Sequence, residues 1–296
     1  MDRDRRALLL GLGAVFFWGT VATAFKIALR YLDVYQLLMY ATLVSALLLL
    51  AVVLYRRQGA LLFTYLRETP GYFIAVALLN PCIYYQVLFT AYDLLPAQQA
   101  QTINYTWAIT LSLMAIPLLG QRLHSSDIVA AVLGYCGVLI IATRGDVLGL
   151  HFDSVRGVVL ALLSTVIWAY YWIISTRNQR DAAVSLCLNF LLAAPVCVLM
   201  CHLFSTLVLP DWRGLMAATY AGLFEMGLTF LLWSAALKSA RRVARVSNLI
   251  FLSPFISLVF IQTILNEPVH TATLVGLCLI VPAALFQQLQ RPQDQT

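Results

Sequence analysis

Ten apolar stretches, each about as long as a bilayer's hydrocarbon core is thick, fill almost all of this chain of 296 residues. A core of roughly 30 Å is crossed by roughly 20 helical residues, because each residue adds about 1.5 Å. Only 11% of the residues are charged, against roughly 25% in soluble domains. The sequence therefore predicts an integral membrane protein. The predicted spans are Ala7–Leu29, Val34–Tyr55, Pro70–Tyr92, Pro96–Leu119, Asp127–Thr143, Val155–Thr176, Val184–Leu207, Leu215–Leu237, Val243–Leu265 and Thr271–Gln288.

The backbone of each stretch is predicted to be α-helical. In lipid, every backbone amide must be hydrogen-bonded within the protein, which allows only helices or a closed barrel. The stretches are uniformly apolar and lack the alternation of polar and apolar residues that barrel strands show. We therefore predict an all-α integral membrane fold with ten transmembrane helices.

Basic residues indicate how these helices are oriented. If residue 1 lies in the cytoplasm and ten helices follow, 14 of the 19 Lys and Arg residues fall on the cytoplasmic side. The positive-inside rule then places both termini in the cytoplasm. The net charge of +6 reflects this topology. We expect no nucleic-acid partner, because the chain has no soluble domain with clustered basic residues.

Cysteine accessibility tests this topology. Cysteines introduced at Asp2 and Gln295 should react only with reagents that reach the cytoplasm, because the basic loops hold that side of the protein inside. Labelling of either position from outside intact cells would contradict the predicted orientation.

Two short matches relate the halves of the chain. Residues Ala7–Trp18 and Gly157–Trp168 are apolar runs that end in tryptophan, and a second match aligns the segments around Gln121 and Glu267. The paired tryptophans are 150 positions apart, and the second pair is 146 apart. Because five is an odd number, a second set of five helices enters the membrane in the opposite orientation.

We therefore predict two inverted five-helix repeats, residues 1–148 and 149–296, within one integrated transmembrane domain. Inverted repeats are typical of secondary transporters, which bind solute near the midplane between the copies and alternate access by rocking. A chance likeness between apolar helices is the alternative interpretation.

Motifs of other functional classes do not occur. The sequence has no Gly-rich phosphate loop ending in Gly-Lys and no His-Glu-x-x-His motif, which argues against ATP-driven pumping and against the commonest metalloprotease site. Its six cysteines lie in apolar spans without metal-ligand spacing and are interpreted as buried thiols. We expect no cofactor, no metal and no enzymatic activity. A passive channel and a membrane-embedded enzyme are the competing classes.

Several short motifs stand inside the helices and at their ends. They are Trp18-Gly19 with Lys26, Ile103-Asn104-Tyr105-Thr106-Trp107, Gly120-Gln121-Arg122-Leu123, Gly145-Asp146, Gly149-Leu150-His151-Phe152-Asp153, Ile167-Trp168-Ala169-Tyr170, Ser253-Pro254 and Asn266-Glu267-Pro268. Together they resemble the drug/metabolite transporter superfamily, especially its EamA-type ten-helix members and, among these, the aromatic amino-acid exporter branch. The resemblance implies a basket in which helices 1, 3, 4, 6, 8 and 9 surround a central cavity and helices 5 and 10 lie at the periphery.

Two positions depart from the family pattern. The acidic residue that is usual at the end of the fourth helix is Gln121 here, and the arginine common in the second helix of many relatives is Tyr40. Roles that the family attaches to those positions do not carry over to this chain.

Glu225 is the sharpest candidate for a functional group. It lies about midway along the eighth predicted helix, where an unpaired carboxylate costs several kcal/mol. Three interpretations are open. Glu225 exchanges a coupling proton, pairs with a substrate amine, or hydrogen-bonds a neighbouring helix as a structural group.

The fourth predicted helix is too polar to face lipid. Gln101, Asn104 and Tyr105 lie at i, i+3 and i+4 and share one helical face, with Gln98 one turn earlier. We predict that this face lines a central cavity together with Glu225 and Trp168, because a polar face on a membrane helix has to meet protein or water. Interhelical hydrogen bonding is the structural alternative.

The other candidates for solute binding are polar and aromatic side chains of the first, third, sixth and eighth predicted helices. They can hydrogen-bond a solute or stack on it, although packing explains any single aromatic residue equally well. These candidates are Trp18, Asn80, Tyr84, Trp168, Tyr171 and Trp233.

Taken together, the sequence predicts a secondary transporter that exports amino acids or related small metabolites across the inner (plasma) membrane by alternating access. Coupling to protons through Glu225 is one version of this hypothesis, and a facilitative multidrug or metabolite exporter is the alternative. The expected partners are a small-molecule solute, such as an aromatic or other amino acid, and the lipid bilayer. The spacings Ala130-x-x-x-Gly134 and Ala218-x-x-x-Gly222 permit close helix packing within one subunit or between two.

Overall fold

The computed structural model describes residues 3–122, 124–207, 209–240 and 246–290, with side chains up to residue 287. Within these ranges the chain is helical and contains no strand. Eight helices are long and apolar enough to cross a membrane. Two more apolar helices each have fewer than 18 residues whose side chains are described. The eight are α1 Arg3–Leu29, α2 Val34–Tyr55, α3 Pro70–Leu94, α4 Ala97–Leu119, α5 Ser125–Ala142, α6 Val155–Thr176, α7 Ala182–Phe204 and α8 Trp212–Ser239. These two helices are α9 Asn248–Ile264 and α10 Thr271–Gln290.

The starts of α2 and α7 show why the helices begin where they do. Asp33 precedes α2, and its carboxylate accepts hydrogen bonds from the backbone N–H groups of Tyr35 and Gln36. The Gln36 side chain accepts from the Asp33 N–H in return, which completes a capping box. Asp181 caps α7 through the N–H groups of the second and third helical residues. These caps satisfy N–H groups that a helix leaves unpaired at its first turn.

One helix is absent from the spans that the sequence predicts. The connecting helix, Gly59–Glu68, lies between α2 and α3 and carries no buried residue. It is tied to the start of α7, because Arg180 pairs with Glu68 at 3.0 Å and lies 5.4 Å from the centre of the Tyr65 ring. The apolar pattern does not reveal this helix, since its anchor is more than 100 residues away in sequence.

The helices pack into two compact units, and each unit draws helices from both halves of the sequence. The first unit, Met1–Phe89 and Gln179–Leu265, contains α1, α2, most of α3, and α7 to α9. The second unit, Thr90–Asn178 and Asn266–Thr296, contains α4, α5, α6 and α10. The division into repeats at residues 148 and 149 stays a prediction about the sequence.

In the first unit, small residues bring α1 and α2 close to their neighbours. A Cβ atom added to Gly19 of α1 would lie 2.6 Å from Ile256 of α9. A Cβ atom added to Gly222 of α8 would lie 2.5 Å from the Ala41 carbonyl oxygen of α2. Small residues permit this kind of approach between membrane helices.

In the second unit, α5 packs along α10 and against α4 in the same way. A Cβ atom on Gly137 of α5 would lie 2.8 Å from the Gly276 carbonyl oxygen of α10, and one on Gly134 would lie 2.3 Å from Ile109 of α4. Gly134 and Gly222 thus each pack against their own chain. Both small-residue spacings noted in the sequence therefore serve contacts within one subunit.

The connection between α5 and α6 is held by ion pairs. The Arg144 guanidinium donates to both carboxylate oxygens of Asp153 at 2.8 Å, and Asp153 also accepts from the Gln99 amide of α4 at 2.7 Å. In the same loop, hydrogen bonds from the His151 ring and from the Gly149 N–H hold the pKa of the Asp146 carboxyl below its usual value. The loop is therefore fixed at both of its ends.

Candidate functional site

Helix α3 is interrupted near its middle, at Leu78–Ile83. Asn80 has φ −142° and ψ 114°, which is an extended conformation inside a helical span. Pro81 follows it, and a proline ring disfavours the helical conformation of the preceding residue and supplies no N–H group. The kink that Pro81 suggests is therefore present. We call Leu78–Ile83 the α3 irregular segment.

Helix α8 also has a non-standard stretch, a π-helical segment at Ala221–Leu228. We call it the α8 irregular segment, and it contains Glu225. The Thr229 hydroxyl donates to the Phe224 carbonyl oxygen at its end. Short π segments inside α-helices occur frequently at functional sites. The backbone conformation and the acidic side chain therefore both indicate a functional site in this part of α8.

Glu225 is buried in the first unit, with 8% of its surface exposed. The Tyr85 hydroxyl of α3 donates a hydrogen bond to its Oε1 atom at 3.2 Å. The second carboxyl oxygen, Oε2, is buried and has no hydrogen-bond partner among the described residues. The carboxyl thus has one satisfied and one unsatisfied oxygen.

No basic side chain neutralises this carboxyl within the described ranges. The ion pairs found there involve Glu68, Asp127, Asp146 and Asp153, and not Glu225. A buried carboxylate without a cation is costly in a membrane interior. Glu225 therefore either carries a proton or meets a cation that comes from outside the described protein.

Two buried asparagines add unsatisfied acceptors to the same unit. Asn80 lies in the α3 irregular segment and Asn189 lies in α7, and the side-chain oxygen of each has no partner among the described residues. The segments that carry them meet where the sulfur atoms of Cys82 and Cys197 are 3.6 Å apart. Asn189 is not among the site residues predicted from the sequence. A signal was available, because Asn189 is the one amide side chain in the apolar run of α7.

The other predicted residues of the first unit pack against aromatic neighbours. Trp18 of α1 lies 5.3 Å from Trp233 and 5.9 Å from Phe230, both of α8, measured between ring centres. The Tyr84 ring is 4.8 Å from the Tyr85 ring. Tyr84 thus packs beside Tyr85, the hydrogen-bond partner of Glu225, and Trp18 packs against Trp233.

In the second unit, Gln98 is buried, and both its amide nitrogen and its amide oxygen are hydrogen-bonded within the chain. Its amide nitrogen donates to the Pro268 carbonyl oxygen at 2.8 Å. Its amide oxygen accepts from the His270 N–H at 3.0 Å and from the Thr273 hydroxyl at 2.8 Å. The Glu267 carboxylate accepts from the Ala97 N–H at 3.0 Å. Gln98 and Glu267 thus join the start of α4 to the segment before α10.

The polar face of α4 meets α6. The Asn104 amide donates to the Ser164 hydroxyl at 2.8 Å, and Gln101 is buried. Helix α4 is interrupted by a turn at Tyr105 before it continues. On α6, the Trp168 and Tyr171 rings stack with centres 5.3 Å apart. Ser164 is a partner of Asn104 that was not predicted from the sequence.

The predicted site residues thus fall into two sets. The first unit holds Trp18, Asn80, Tyr84, Glu225 and Trp233, and the second holds Gln98, Gln101, Asn104, Tyr105, Trp168 and Tyr171. A cavity lined by both sets stays a prediction.

Replacing Gln98 by leucine is expected to destabilise the protein. The change keeps an apolar stem but leaves the Pro268 carbonyl, the His270 N–H and the Thr273 hydroxyl without their partner. Each buried polar group left unsatisfied costs about 1–3 kcal/mol. Thermal unfolding of the purified protein in detergent measures the effect. Gln58→Leu is the control, because that side-chain oxygen has no hydrogen-bond partner among the described residues. Equal stability of the two variants would contradict a structural role for Gln98.

Known proteins resemble this chain over nearly its whole length. Residues 5–143 and residues 155–287 each match the EamA-like transporter family. An uncharacterized transporter of Bacillus subtilis (strain 168), YvbV, is 27% identical over 285 residues, which cover 95% of this chain and 90% of that protein. The aromatic amino acid exporter YddG of Ancylobacter novellus is 28% identical over 157 residues, which cover 52% of this chain and 54% of that protein.

A solved crystal structure has the same fold. It aligns with a TM-score of 0.69 over 98% of this chain and 99% of that chain, at 22% sequence identity. The family matches span both groups of helices, and they confirm the resemblance seen in the helix-end motifs. This multi-pass membrane protein therefore belongs to the EamA-like transporter family.

Proposed function

We propose that the protein is a secondary transporter that exports amino acids or related small metabolites by alternating access, from the cytoplasm across the inner (plasma) membrane. Glu225 is the group that takes up either a coupling proton or the ammonium group of the solute. The observation that carries this proposal is the buried Glu225 carboxyl, whose Oε2 atom has no partner in the described protein.

A purely structural role accounts poorly for this carboxyl. A glutamate kept only as a link between helices would be expected to have both oxygens hydrogen-bonded, because a buried unsatisfied polar atom costs about 1–3 kcal/mol. Here Tyr85 engages Oε1 alone. Ionisable groups inside membranes are rare and mark ion or substrate pathways. The free oxygen is therefore the contact that we assign to a proton or an ammonium group.

The carboxyl of Glu225 favours an amine-bearing solute. An amino acid supplies an ammonium group that can contact the Oε2 atom, which has no partner among the described residues. The similarity to an aromatic amino acid exporter supports the same class of solute.

Alternating access is supported by signs of an internal repeat. The two halves of the chain match the same family separately, at residues 5–143 and at residues 155–287. Transporters built from inverted repeats switch access by moving one bundle against the other. The absence of a phosphate-binding loop in the sequence leaves the gradient of the solute or of an ion as the energy source.

Flux measurements on purified protein in liposomes test the proposal. Efflux of radiolabelled L-phenylalanine should saturate with concentration and should be slowed by unlabelled amino acids. Flux that stays proportional to concentration would identify a channel instead. If no amino acid is moved, the amino-acid assignment is wrong. Thermal stabilisation by members of a metabolite library would then identify the solute, because a ligand that binds only the folded state stabilises it.

A further inference from the structure

The Tyr85–Glu225 hydrogen bond joins the two irregular segments of the first unit. Glu225 lies inside the α8 irregular segment, Ala221–Leu228. Tyr85 stands two residues after the α3 irregular segment, Leu78–Ile83. The bond of 3.2 Å between hydroxyl and carboxyl therefore links α3 and α8 at the points where each departs from α-helical geometry.

The two irregular segments occupy corresponding positions in the two halves of the chain. Helix α3 is the third membrane-length helix of the first half, and α8 is the third of the second half. The segments begin at residues 78 and 221 and end at residues 83 and 228, so they are 143 to 145 positions apart. The sequence matches between the halves are 146 and 150 positions apart. A departure from regular geometry thus recurs at nearly the spacing of the proposed repeat.

The position of the Tyr85 hydroxyl is set by ring packing. Tyr85 is fully buried. Its ring contacts Tyr84 and Phe89, and Phe89 contacts Phe25 of α1 with ring centres 4.8 Å apart. A ring held on several sides leaves its hydroxyl little freedom to follow a moving carboxyl. The direction of the hydrogen bond is therefore imposed by the aromatic cluster.

We propose that Tyr85 is the positioning residue of Glu225. Its hydroxyl holds Oε1 and thereby presents Oε2 to the proton or ammonium group that the carboxyl takes up. This inference rests on the proposed function of Glu225. It adds that the carboxyl is oriented by a residue of the corresponding helix, α3, in the other half of the chain. Tyr85 acts through Glu225.

Tyr85→Phe tests the inference because it removes only the hydroxyl and keeps the ring. The readout is the pH dependence of thermal stability in detergent, which requires no solute. The contribution of Glu225 to this pH dependence is the difference between the stability curves of the wild type and of Glu225→Gln. In Tyr85→Phe, the midpoint pH of this contribution should move by about one unit, since a hydrogen bond to a charged group is worth about one to two units of pKa. In the Glu225→Gln background, Tyr85→Phe should cause no pH-dependent change.

Transport supplies a second, independent readout. If Glu225 binds the ammonium group of the solute, Tyr85→Phe should raise the KM for L-phenylalanine about tenfold while the maximal rate changes less than about twofold, as expected for one lost charge-assisted hydrogen bond. If Glu225 carries the coupling proton, the pH dependence of proton-driven accumulation should shift by about one unit while the KM for exchange stays unchanged. Tyr135→Phe is the matched control, because it also removes a hydrogen-bonded hydroxyl, 2.9 Å from Thr110, in the second unit.

The outcomes separate the two proposals. An unchanged pH midpoint in Tyr85→Phe, together with a clear effect of Glu225→Gln, would overturn the positioning role and leave the proposed function standing. Normal transport in Glu225→Gln would overturn the proposed function first. A general loss of stability in Tyr85→Phe that also occurs in Tyr135→Phe, without a shift of the midpoint, would assign Tyr85 to packing alone.

Discussion

Glu225→Gln is expected to abolish proton-driven accumulation of L-phenylalanine in liposomes while exchange of the solute continues. Glutamine keeps the size of the side chain and still accepts the hydrogen bond from Tyr85, but it does not titrate. A gradient of one pH unit is worth about 1.4 kcal/mol, which is about a tenfold solute ratio for one coupled proton. Uptake into vesicles with and without an imposed pH gradient measures this ratio directly, and it should fall to about one in the variant.

The same variant distinguishes the alternative roles of Glu225. If the carboxylate pairs with the ammonium group of the solute, Glu225→Gln should weaken exchange as well, and only for cationic or zwitterionic solutes. Wild-type accumulation and wild-type exchange at normal expression would refute both roles. Asp93→Asn serves as the control, because it neutralises an acid in the same helix as Tyr85, α3, but at an exposed position. It should leave both activities unchanged.

Gly222→Ala is expected to lower the stability of the protein by about 1–3 kcal/mol, the usual cost of overfilling a packed interface. The new Cβ atom would lie 2.5 Å from the Ala41 carbonyl oxygen and 2.9 Å from the Val44 Cβ atom of α2. A backbone carbonyl inside α2 has no rotamer to escape into, so α2 and α8 must separate. Thermal unfolding in detergent should show a clearly lower midpoint.

Gly71→Ala is the matched control for this prediction. A Cβ atom added to Gly71 meets no atom within 4 Å. Replacing glycine by alanine in a helix is otherwise favourable by about 0.5–1 kcal/mol. The control should therefore unfold at the same temperature as the wild type or slightly higher. If Gly222→Ala matched it, the close approach of α2 and α8 would not be required for stability.

The membrane-length helices are visible in the sequence because lipid imposes its requirement on each helix separately. Roughly 20 apolar residues must follow one another wherever the chain crosses, so length and composition alone locate α1 to α8. The kink in α3 can also be predicted from the local sequence, because Pro81 disrupts regular helix at that point. The connecting helix, Gly59–Glu68, is not visible in this way, because it is anchored by Arg180 from a distant part of the chain.

The candidate site also combines residues that the local sequence reveals with residues that only distant contacts bring into place. Glu225 stands out in the sequence as a single acid in a long apolar run. Its partner Tyr85 does not, because the two residues are 140 positions apart and Tyr85 is one of several tyrosines in α3. Gln98 also illustrates the limit. Its polarity is evident, but its bonds to Pro268 and Thr273 depend on tertiary packing. The irregular segment of α8 contains no proline that would reveal it.

The make-up of the two compact units has a consequence for how the protein is made. After α1 to α3 have been synthesised, about 175 further residues must be added before α7 to α9 complete the first unit. At about 5–20 residues per second, this early group of helices therefore waits in the membrane for about 9–35 seconds. During that time Tyr85 and the surface around Ala41 have no partners from α8. Biogenesis of this chain thus depends on whatever shields those surfaces, such as lipid or the insertion machinery, until the second half arrives.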